Sequence, residues 1–351
     1  LSDILQAGMS EKELVQTIHT LVTSAEIDSF TGIGPVLYRN REIFGSSAMA
    51  YKSTDDFLDQ LTEDLYSDTV ILIKGARPFH FEKIVPRLEE QIHETVLEVD
   101  LDALTHNLNY FRSRVTPGVR IMVMVKAFAY GAGSIEVANL LQYHRVDYLA
   151  VAYADEGVFL RRNGILLPIM VLNPTPDSFA KIQNYNLEPE IYSLRLLNEL
   201  IHFLDGRSMD IHIKFDTGMH RLGFVEKDLP ELKSCLKNHG ELTIKSIFSH
   251  LAASDSEEHI EFTRQQASLF DKFVKELDPV ASGAIKHLLN SSGIISYSDL
   301  QYDMVRLGIG LYGIEGNKRE QDYLQPISTW KTIISQIKEV LPGESVGYGR
   351  A

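Results

Sequence analysis

The sequence predicts an α/β protein whose largest part is a (β/α)8 barrel. Strand-like and helix-like segments alternate from about residue 95 to about residue 320, which is the pattern of repeated βα units. Five consecutive apolar residues lead into Lys126, and small residues and glycines follow it. Such a strand, apolar on both faces, is typical of a parallel sheet covered by helices. The length of 351 residues also leaves room for smaller flanking units.

Nine segments of this region have strand character, one more than the barrel uses: residues 96–100, 121–126, 148–152, 169–172, 188–192, 211–215, 244–249, 286–289 and 304–308. Helix-like segments separate most of them, for example residues 134–143, 154–162, 194–203 and 264–277. We therefore expect residues 96–100 to lie outside the barrel, paired with a following domain.

The first 94 residues predict a separate α/β unit. Ser10 and the acids after it predict the start of a helix that continues to Leu21, and residues 54–61 predict a second capped helix. Residues 68–78 predict a buried strand with a turn at residues 74–77, and a helix starts at Phe81. A strand, a glycine turn and a helix can hold an anion, although an ordinary αβ unit shows the same pattern.

The last residues predict the start of a β-rich domain over residues 323–351. Residues 328–340 alternate partly and then meet Pro342 and Gly343, which is strand and turn chemistry. The chain begins at Leu1 and ends at Ala351, soon after this strand-like stretch. We expect it to be a fragment of a longer polypeptide.

Composition excludes several classes of protein. With 34 basic and 48 acidic side chains, the net charge of −14 argues against nonspecific nucleic-acid binding. The single cysteine, Cys235, excludes an internal disulfide and a cysteine metal cage, and no metal site is predicted. No run of 18 or more apolar residues predicts a membrane span, and we expect a cytoplasmic protein.

Lys126 is the first candidate functional residue. A lysine at the end of a buried strand is costly unless it has a partner or a chemical task. Desolvation makes an amine a better nucleophile and a better former of Schiff bases. A lysine that extends to solvent at the strand end is the alternative.

The segment around Lys126 resembles the pyridoxal-phosphate (PLP) lysine motif of alanine racemases. It reads VKAFAYGAG at residues 125–133, with Phe128 where the family usually has Asn and Ala132 where it usually has His. Four further motifs follow in the family's order: DTGMHRLG at 216–223, SHLA at 249–252, NS at 290–291 and VRLGIGLYG at 305–313. The resemblance covers about residues 95–351 and implies a PLP-binding TIM barrel over residues 95–322.

The resemblance implies a role for each motif. Lys126 would hold PLP as an aldimine and act as an acid or base at the substrate Cα, and Arg306 would contact the pyridine nitrogen. The remaining cofactor contacts would come from Tyr130, His250, Asn290, Ser291, Gly308 and Ile309. Without the resemblance, a surface arginine, a rim tyrosine and a structural histidine are the ordinary interpretations.

Two further positions concern the substrate. Arg221 would bind the substrate carboxylate, and Lys214 matches a position that is carbamylated in many family members. A carbamate there would be an anionic partner for Arg221.

The implied function is a PLP-dependent isomerase that interconverts L- and D-alanine. Racemisation needs acid–base groups on both faces of Cα, and the family's second group is a tyrosine that reaches the other subunit of a head-to-tail homodimer. That tyrosine's motif does not occur here, because Tyr348 belongs to the segment that precedes it. We therefore expect this chain to bind PLP but to racemise alanine poorly.

Residues 1–94 resemble the C-terminal end of the Mur ligase that adds D-alanyl-D-alanine to the UDP-muramoyl tripeptide. The turn Lys74-Gly75-Ala76-Arg77 carries most of this resemblance. The chain has no Gly-x-x-x-x-Gly-Lys-[Ser/Thr] loop, so ATP cleavage is not assigned to it. The two resemblances together imply a bifunctional protein in which the racemase supplies D-alanine for peptidoglycan.

The sequence is also compatible with other functions. A non-catalytic PLP-binding barrel is disfavoured by the strand-like segment after Pro326, and a decarboxylase of the same fold by the basic Arg306. Ligase function alone lacks an ATP loop. Serine is a possible alternative substrate.

Overall fold

The structure is a computed structural model that describes residues 1–5, 7–25, 27–45, 48–62, 66, 69–88, 95–316 and 319–350. It divides into two compact units, one made of Leu1–Val96 with Thr332–Ala351 and one of Leu97–Lys331. No helix among these residues is long and apolar enough to cross a membrane.

The strands of the described residues are β1 (Thr31–Ile33), β2 (Met49–Tyr51), β3 (Val96–Val99), β4 (Arg120–Met124), β5 (Tyr148–Val151), β6 (Ile169–Val171), β7 (Glu188–Ile191), β8 (Met209–Lys214), β9 (Leu242–Phe248), β10 (Ile285–His287), β11 (Met304–Leu307) and β12 (Ser328–Lys331). The α-helices are Glu11–Ser24, Pro35–Arg39, Thr54–Gln60, Val85–Leu88, Leu101–Arg114, Ser134–Tyr143, Ala154–Arg162, Phe179–Asn184, Leu194–Leu204, Leu229–Asn238, Ile260–Ala281 and Ser291–Ser296.

The unit of Leu97–Lys331 is built on a closed parallel barrel. Its strands follow one another as β4, β5, β6, β7, β8, β9, β10 and β11, and β11 returns to pair with β4. This confirms the predicted α/β class and the (β/α)8 barrel. Each of the eight strands lies where the sequence predicts one, and no end differs from the predicted one by more than two residues.

The strand residues divide between two cores. Ile121 and Val123 of β4 point outward into the large core between the barrel and its helices. Met122 and Met124 alternate with them and point into the barrel, where the other members of the inner core are Tyr148, Ala150, Met170, Phe248 and Met304. Flexible methionine side chains suit this irregular interior, and both faces of the strand are therefore apolar.

Strand β3 lies outside the barrel, as predicted, and pairs with β12. The Asp100 side chain ends this strand by accepting hydrogen bonds from the backbone N–H groups of Asp102 and Ala103 at the start of the helix Leu101–Arg114. The strand predicted over residues 328–340 forms only as β12. The prediction is wrong for residues 332–340, which are exposed and pair with no strand of the described chain.

The other unit contains the two predicted helices. Ser10 and Glu13 form a capping box at the start of Glu11–Ser24, and Ser53 caps Thr54–Gln60. Strands β1 and β2 pair in parallel, and a small core forms around Ile33, Tyr51, Phe57 and Ile84.

The buried strand predicted over residues 68–78 is wrong where the structure describes it. Residues 69–76 are irregular, and Val70 and Leu72 are fully exposed. A strand forms where a neighbouring strand pairs along its length. Here the Lys74 carbonyl accepts a hydrogen bond from the Ser2 N–H group, and the Ala76 N–H group donates to Ser2 Oγ. Asp68 lies outside the described residues. The helix predicted from Phe81 begins as a 3-10 turn and continues as Val85–Leu88.

Candidate active site

A cavity of about 420 Å³ opens at the carboxyl ends of the barrel strands. The predicted site residues all line it: Lys126, Tyr130, Lys214, Arg221, His250, Asn290, Ser291, Arg306, Gly308 and Ile309. They come together because each lies at or just after the end of a strand, and these ends meet at one face of a (β/α)8 barrel.

Lys126 lies two residues after the end of β4 and directly before a left-handed turn. Ala127, Phe128, Ala129 and Tyr130 have φ values of 52°, 56°, 53° and 55°. A left-handed conformation costs about 1–2 kcal/mol for each residue with a Cβ atom, so this turn needs outside support.

Glu156 supports the turn from the next βα unit. Its Oε1 accepts a hydrogen bond from the Ala127 N–H at 2.7 Å. Its Oε2 accepts hydrogen bonds from the N–H groups of Ala152 at 2.6 Å and Tyr153 at 3.1 Å. One carboxylate therefore joins the loop after β4 to the loop after β5.

Arg306 is buried at the inner end of the cavity, on β11. One of its terminal nitrogens donates to the backbone carbonyls of Ser249 and Leu288 at 2.7 and 3.0 Å and to His250 Nδ1 at 3.0 Å. Burial lowers the pKa of Arg306 to about 10, and the charge of Glu190 opposes this change. At neutral pH Arg306 remains a cation with a fixed orientation.

A chain of hydrogen bonds runs from Arg306 through the barrel interior. Its other terminal nitrogen donates to His287 Nδ1 at 2.8 Å, and His287 Nε2 lies 2.8 Å from Ser246 Oγ. Ser246 Oγ lies 2.7 Å from His212 Nδ1, and His212 Nε2 lies 2.8 Å from a carboxylate oxygen of Glu188. Because Arg306 can only donate, each link then donates to the next one, and Nε2 carries the proton of both histidines.

Both histidines that accept from Arg306 are held neutral. Burial lowers the pKa of His250 and His287 well below the usual range, and the charge of Arg306 lowers it further. A neutral His250 presents its ring to the cavity without adding to the positive charge there.

Ser291 and the loop after β11 form a cradle of polar hydrogens. Ser291 Oγ accepts hydrogen bonds from the N–H groups of Gly308 at 2.9 Å and Gly310 at 3.2 Å. Its own hydroxyl proton is therefore available to a ligand. These groups follow β10 and β11, the last two strands of the barrel, where barrels commonly bind phosphate.

Lys214 and Glu190 form a buried ion pair beside Arg221. Lys214 Nζ lies 2.9 Å from Glu190 Oε1, and neither side chain is more than 9% exposed. Arg221 is exposed at the rim, and its guanidinium makes no hydrogen bond within the described part of the chain. It is thus free to bind an anionic group that enters the cavity.

Asn290 and Tyr130 complete the lining. Asn290 Oδ1 accepts from Gly293 N–H at 2.9 Å and from Ser254 Oγ at 2.7 Å, so this oxygen serves the fold. The Tyr130 ring packs on Tyr312 with 4.6 Å between centroids, and burial raises the pKa of its hydroxyl. Its hydroxyl is a donor at the pH of the cell.

The sequence profile of the family "Alanine racemase, N-terminal domain" matches residues 99–316. The chain belongs to the alanine racemase family. "Alanine racemase 2" of Caldanaerobacter subterraneus subsp. tengcongensis is 36% identical over 269 residues, which are 74% of this chain and 69% of that protein. The "Serine/alanine racemase" of Enterococcus gallinarum is 36% identical over 273 residues, and the chain spans only 38% of its length.

Solved alanine racemases share the fold. The enzyme of Clostridium difficile 630 matches with a TM-score of 0.67 and 35% identity over 73% of this chain and 69% of that one. The alanine racemase of Bacillus anthracis, solved with bound L-Ala-P, matches with a TM-score of 0.69 and 28% identity over 74% of this chain and 69% of that one. The prediction of an isomerase of the alanine racemase type is confirmed at the level of the family.

The family is PLP-dependent, and the cavity fits that cofactor. It offers a lysine amine, the Ser291 hydroxyl and the backbone at Ile309 for a phosphate, and a fixed guanidinium. Among the described residues that line it, four are basic (Lys126, Lys214, Arg221, Arg306) and one is acidic (Glu190), which suits an anionic ligand.

Three residues of this site were not predicted from the sequence. Glu190 is the third residue of β7 and is fully buried, and an acid inside a predicted buried strand is a signal that could have indicated it. Glu156 lies in the first turn of a helix, where an acid is an ordinary capping residue. His287 lies inside a predicted strand, and nothing in the sequence indicates its bond to Arg306.

Proposed function

We propose that this chain carries the cofactor and substrate site of an alanine racemase that interconverts L- and D-alanine. The observation that carries the proposal is the meeting of Lys126, Ser291 and Arg306 in one cavity of the family's barrel. Their chemistry differs, and the sequence separates them widely, so a purely structural reason for the meeting is hard to find.

Each of these residues would bind a different part of the cofactor. Lys126 would hold PLP covalently, and the Ser291 hydroxyl with the backbone N–H group of Ile309 would bind its phosphate. Gly308, which has no side chain and whose N–H group donates to Ser291 Oγ, would let the phosphate approach the loop. Tyr130 would add a hydroxyl donor at the phosphate end, because it lies near the place where a Cβ of Gly308 would be. PLP supplies the electron sink that makes the Cα proton of an amino acid removable.

Arg306 sets the electronic character of the site. Because it is a cation that only donates hydrogen bonds, its partner atom on the cofactor would stay unprotonated. The neutral His250 accepts a hydrogen bond from Arg306 and would pack against the cofactor, and Asn290 lines the same cavity.

The substrate would enter between Arg221 and Lys126. The free guanidinium of Arg221 is suited to a carboxylate, which it can bind with two parallel hydrogen bonds. The Lys126 amine would then remove or deliver the proton on one face of Cα. We propose that the second acid–base group is the family's tyrosine, supplied across the interface of a head-to-tail homodimer. Because residues 1–351 do not contain the motif of that tyrosine, we propose that they turn over slowly.

The flanking segments of the chain also receive an assignment. We propose that residues 1–94 are the end of a Mur-type ligase, residues 95–322 the racemase barrel and residues 323–351 the start of its β-rich domain. The turn at Lys74–Arg77 supports the ligase assignment, and the separate core of that unit agrees with it. In this bifunctional cytoplasmic protein the racemase would supply D-alanine for peptidoglycan synthesis.

Proton exchange at Cα tests the proposed chemistry. The chain with PLP is incubated in D2O with L-alanine, D-alanine or L-serine, and both deuterium incorporation and the opposite enantiomer are measured. We expect exchange that Lys126→Ala abolishes, with slow formation of the enantiomer. The control is Lys245→Ala, a lysine near Asp210 outside the cavity. Absence of exchange with all three amino acids would refute the proposal. Faster exchange of serine than of alanine would identify serine as the preferred substrate.

A further inference from the structure

Glu190 is a buried acid to which neither the sequence nor the proposed function gives a task. It is fully buried at the end of β7, and it lines the cavity. Oε1 accepts a hydrogen bond from Lys214 Nζ at 2.9 Å, whereas Oε2 is buried without a hydrogen-bond partner among the described residues. A buried carboxylate oxygen without a partner is costly, so this one indicates a functional arrangement.

The charges around Glu190 explain why it is tolerated. Burial raises the pKa of Glu190, and the positive charges of Lys214, Arg306 and Arg221 oppose this rise and favour the ionised form. It is the one acid among the described residues that line the cavity. Its negative charge therefore offsets part of the positive charge of those cations. Removing it would leave Lys214 as a buried cation without its partner, a costly state.

We propose that Glu190 is a positioning residue that holds Lys214 as an unmodified ammonium group and offers its second oxygen to Arg221. In this arrangement Glu190 is the fixed anion of the substrate end of the cavity. Lys214 orients the carboxylate, and the carboxylate in turn orients the guanidinium that binds the substrate.

This arrangement disfavours a carbamate on Lys214, the modification that the family resemblance implies. Carbamylation needs the neutral amine, whose lone pair attacks the carbon of CO2, forms the N–C bond and releases a proton. An ammonium group held by Glu190 has no lone pair. A carbamate on Lys214 would also place a second negative charge beside Glu190, whose Oε1 lies 2.9 Å from Lys214 Nζ. Two negative charges so close together repel strongly in a poorly solvated site.

The role toward Arg221 rests on the proposed function, whereas the state of Lys214 does not. The test therefore uses the chain without PLP and without turnover. Wild type, Lys214→Met and Glu190→Ala are equilibrated with ¹³C-labelled bicarbonate, and carbamate carbonyl signals are recorded by NMR. A signal belongs to Lys214 if the Lys214→Met variant lacks it. Glu188→Ala is the matched control, since Glu188 lies on the same strand and pairs with His212.

We expect no Lys214 carbamate in wild type or in Glu188→Ala. In Glu190→Ala we expect one, because the Lys214 amine can lose its proton and react with CO2 in equilibrium with bicarbonate, and the carbamate then replaces the missing anion. Bicarbonate should accordingly raise the melting temperature of Glu190→Ala and leave that of wild type unchanged. If Glu190→Ala does not fold, Glu190→Gln, which preserves the volume and removes the charge, takes its place. A Lys214 carbamate in wild type would overturn the proposal, and so would its absence from all the variants.

The role of Glu190 toward Arg221 is tested in a separate experiment that measures alanine binding. In the holoprotein, Glu190→Asp should restore most of the alanine binding that Glu190→Gln loses, because a charge and not a shape is required. Failure of wild type to bind alanine would overturn the proposed function and would leave the Lys214 result standing.

Discussion

Replacing Glu156 should loosen the turn that presents Lys126. In Glu156→Gln one carboxylate oxygen becomes an amide nitrogen, which cannot accept a hydrogen bond. If the remaining oxygen still accepts hydrogen bonds from the N–H groups of Ala152 and Tyr153, the new NH2 group faces the N–H group of Ala127. Both of these groups are donors, so no hydrogen bond forms between them. The left-handed turn then loses its link to the neighbouring loop.

The size of the effect follows from the bonds lost. A hydrogen bond to a charged group contributes about 1.5–3 kcal/mol, and the substitution removes one such bond and the charge from the others. We expect the barrel to lose about 2 kcal/mol of unfolding free energy, or about 4–8 °C in melting temperature for a unit of this size. PLP should bind about 10-fold more weakly, because part of the binding energy must then order the turn.

The matched control is Asp155→Asn. Asp155 precedes Glu156 and pairs with Lys181 on the surface, where both side chains are more than half exposed. An exposed pair contributes about 0–1 kcal/mol, so this variant should resemble wild type. Urea unfolding followed by circular dichroism and PLP titration give the two readouts. The reasoning is wrong if Glu156→Gln and Asp155→Asn behave alike in both.

Other predictions concern single site residues. Ser291→Ala should weaken PLP binding about 10- to 100-fold in an absorbance titration, because it removes a hydroxyl donor to the phosphate and the acceptor that orders the N–H groups of Gly308 and Gly310. Arg221→Ala should weaken alanine binding to the holoprotein and leave PLP binding unchanged. The pKa of buried His287 is lowered, so the unfolded chain binds a proton there that the folded chain does not, and stability must fall as pH drops below about 6.5. His287→Gln should reduce that pH slope by up to about 1.4 kcal/mol per pH unit, and the exposed control His202→Gln should not.

Much of the barrel could be predicted because its signals are local. Strands such as β4 are apolar on both faces, and the helices between them carry periodic apolar residues, so neither prediction needs long-range information. The site could be predicted for a related reason: a barrel brings its strand ends together, so a polar residue such as Lys126 or Arg306 at a strand end points to the cavity.

What could not be predicted depends on partners that are distant in sequence. Ala127 and Phe128 have no local preference for a left-handed backbone, and Glu156 of the next unit supports them. The strand predicted at residues 68–78 has suitable residues, but in the described chain no strand pairs along its length. The pairing of Glu190 with Lys214 likewise depends on the register of β7 and β8.

The most direct test of the central claim is an absorbance titration of the purified chain with PLP beside Lys126→Ala, with Lys245→Ala as control. We predict a visible band that borohydride bleaches in wild type and in Lys245→Ala, and no such band in Lys126→Ala. After reduction and digestion, the cofactor should be found on the peptide that contains Lys126. A band of equal strength in Lys126→Ala, or no band in wild type, would contradict the account.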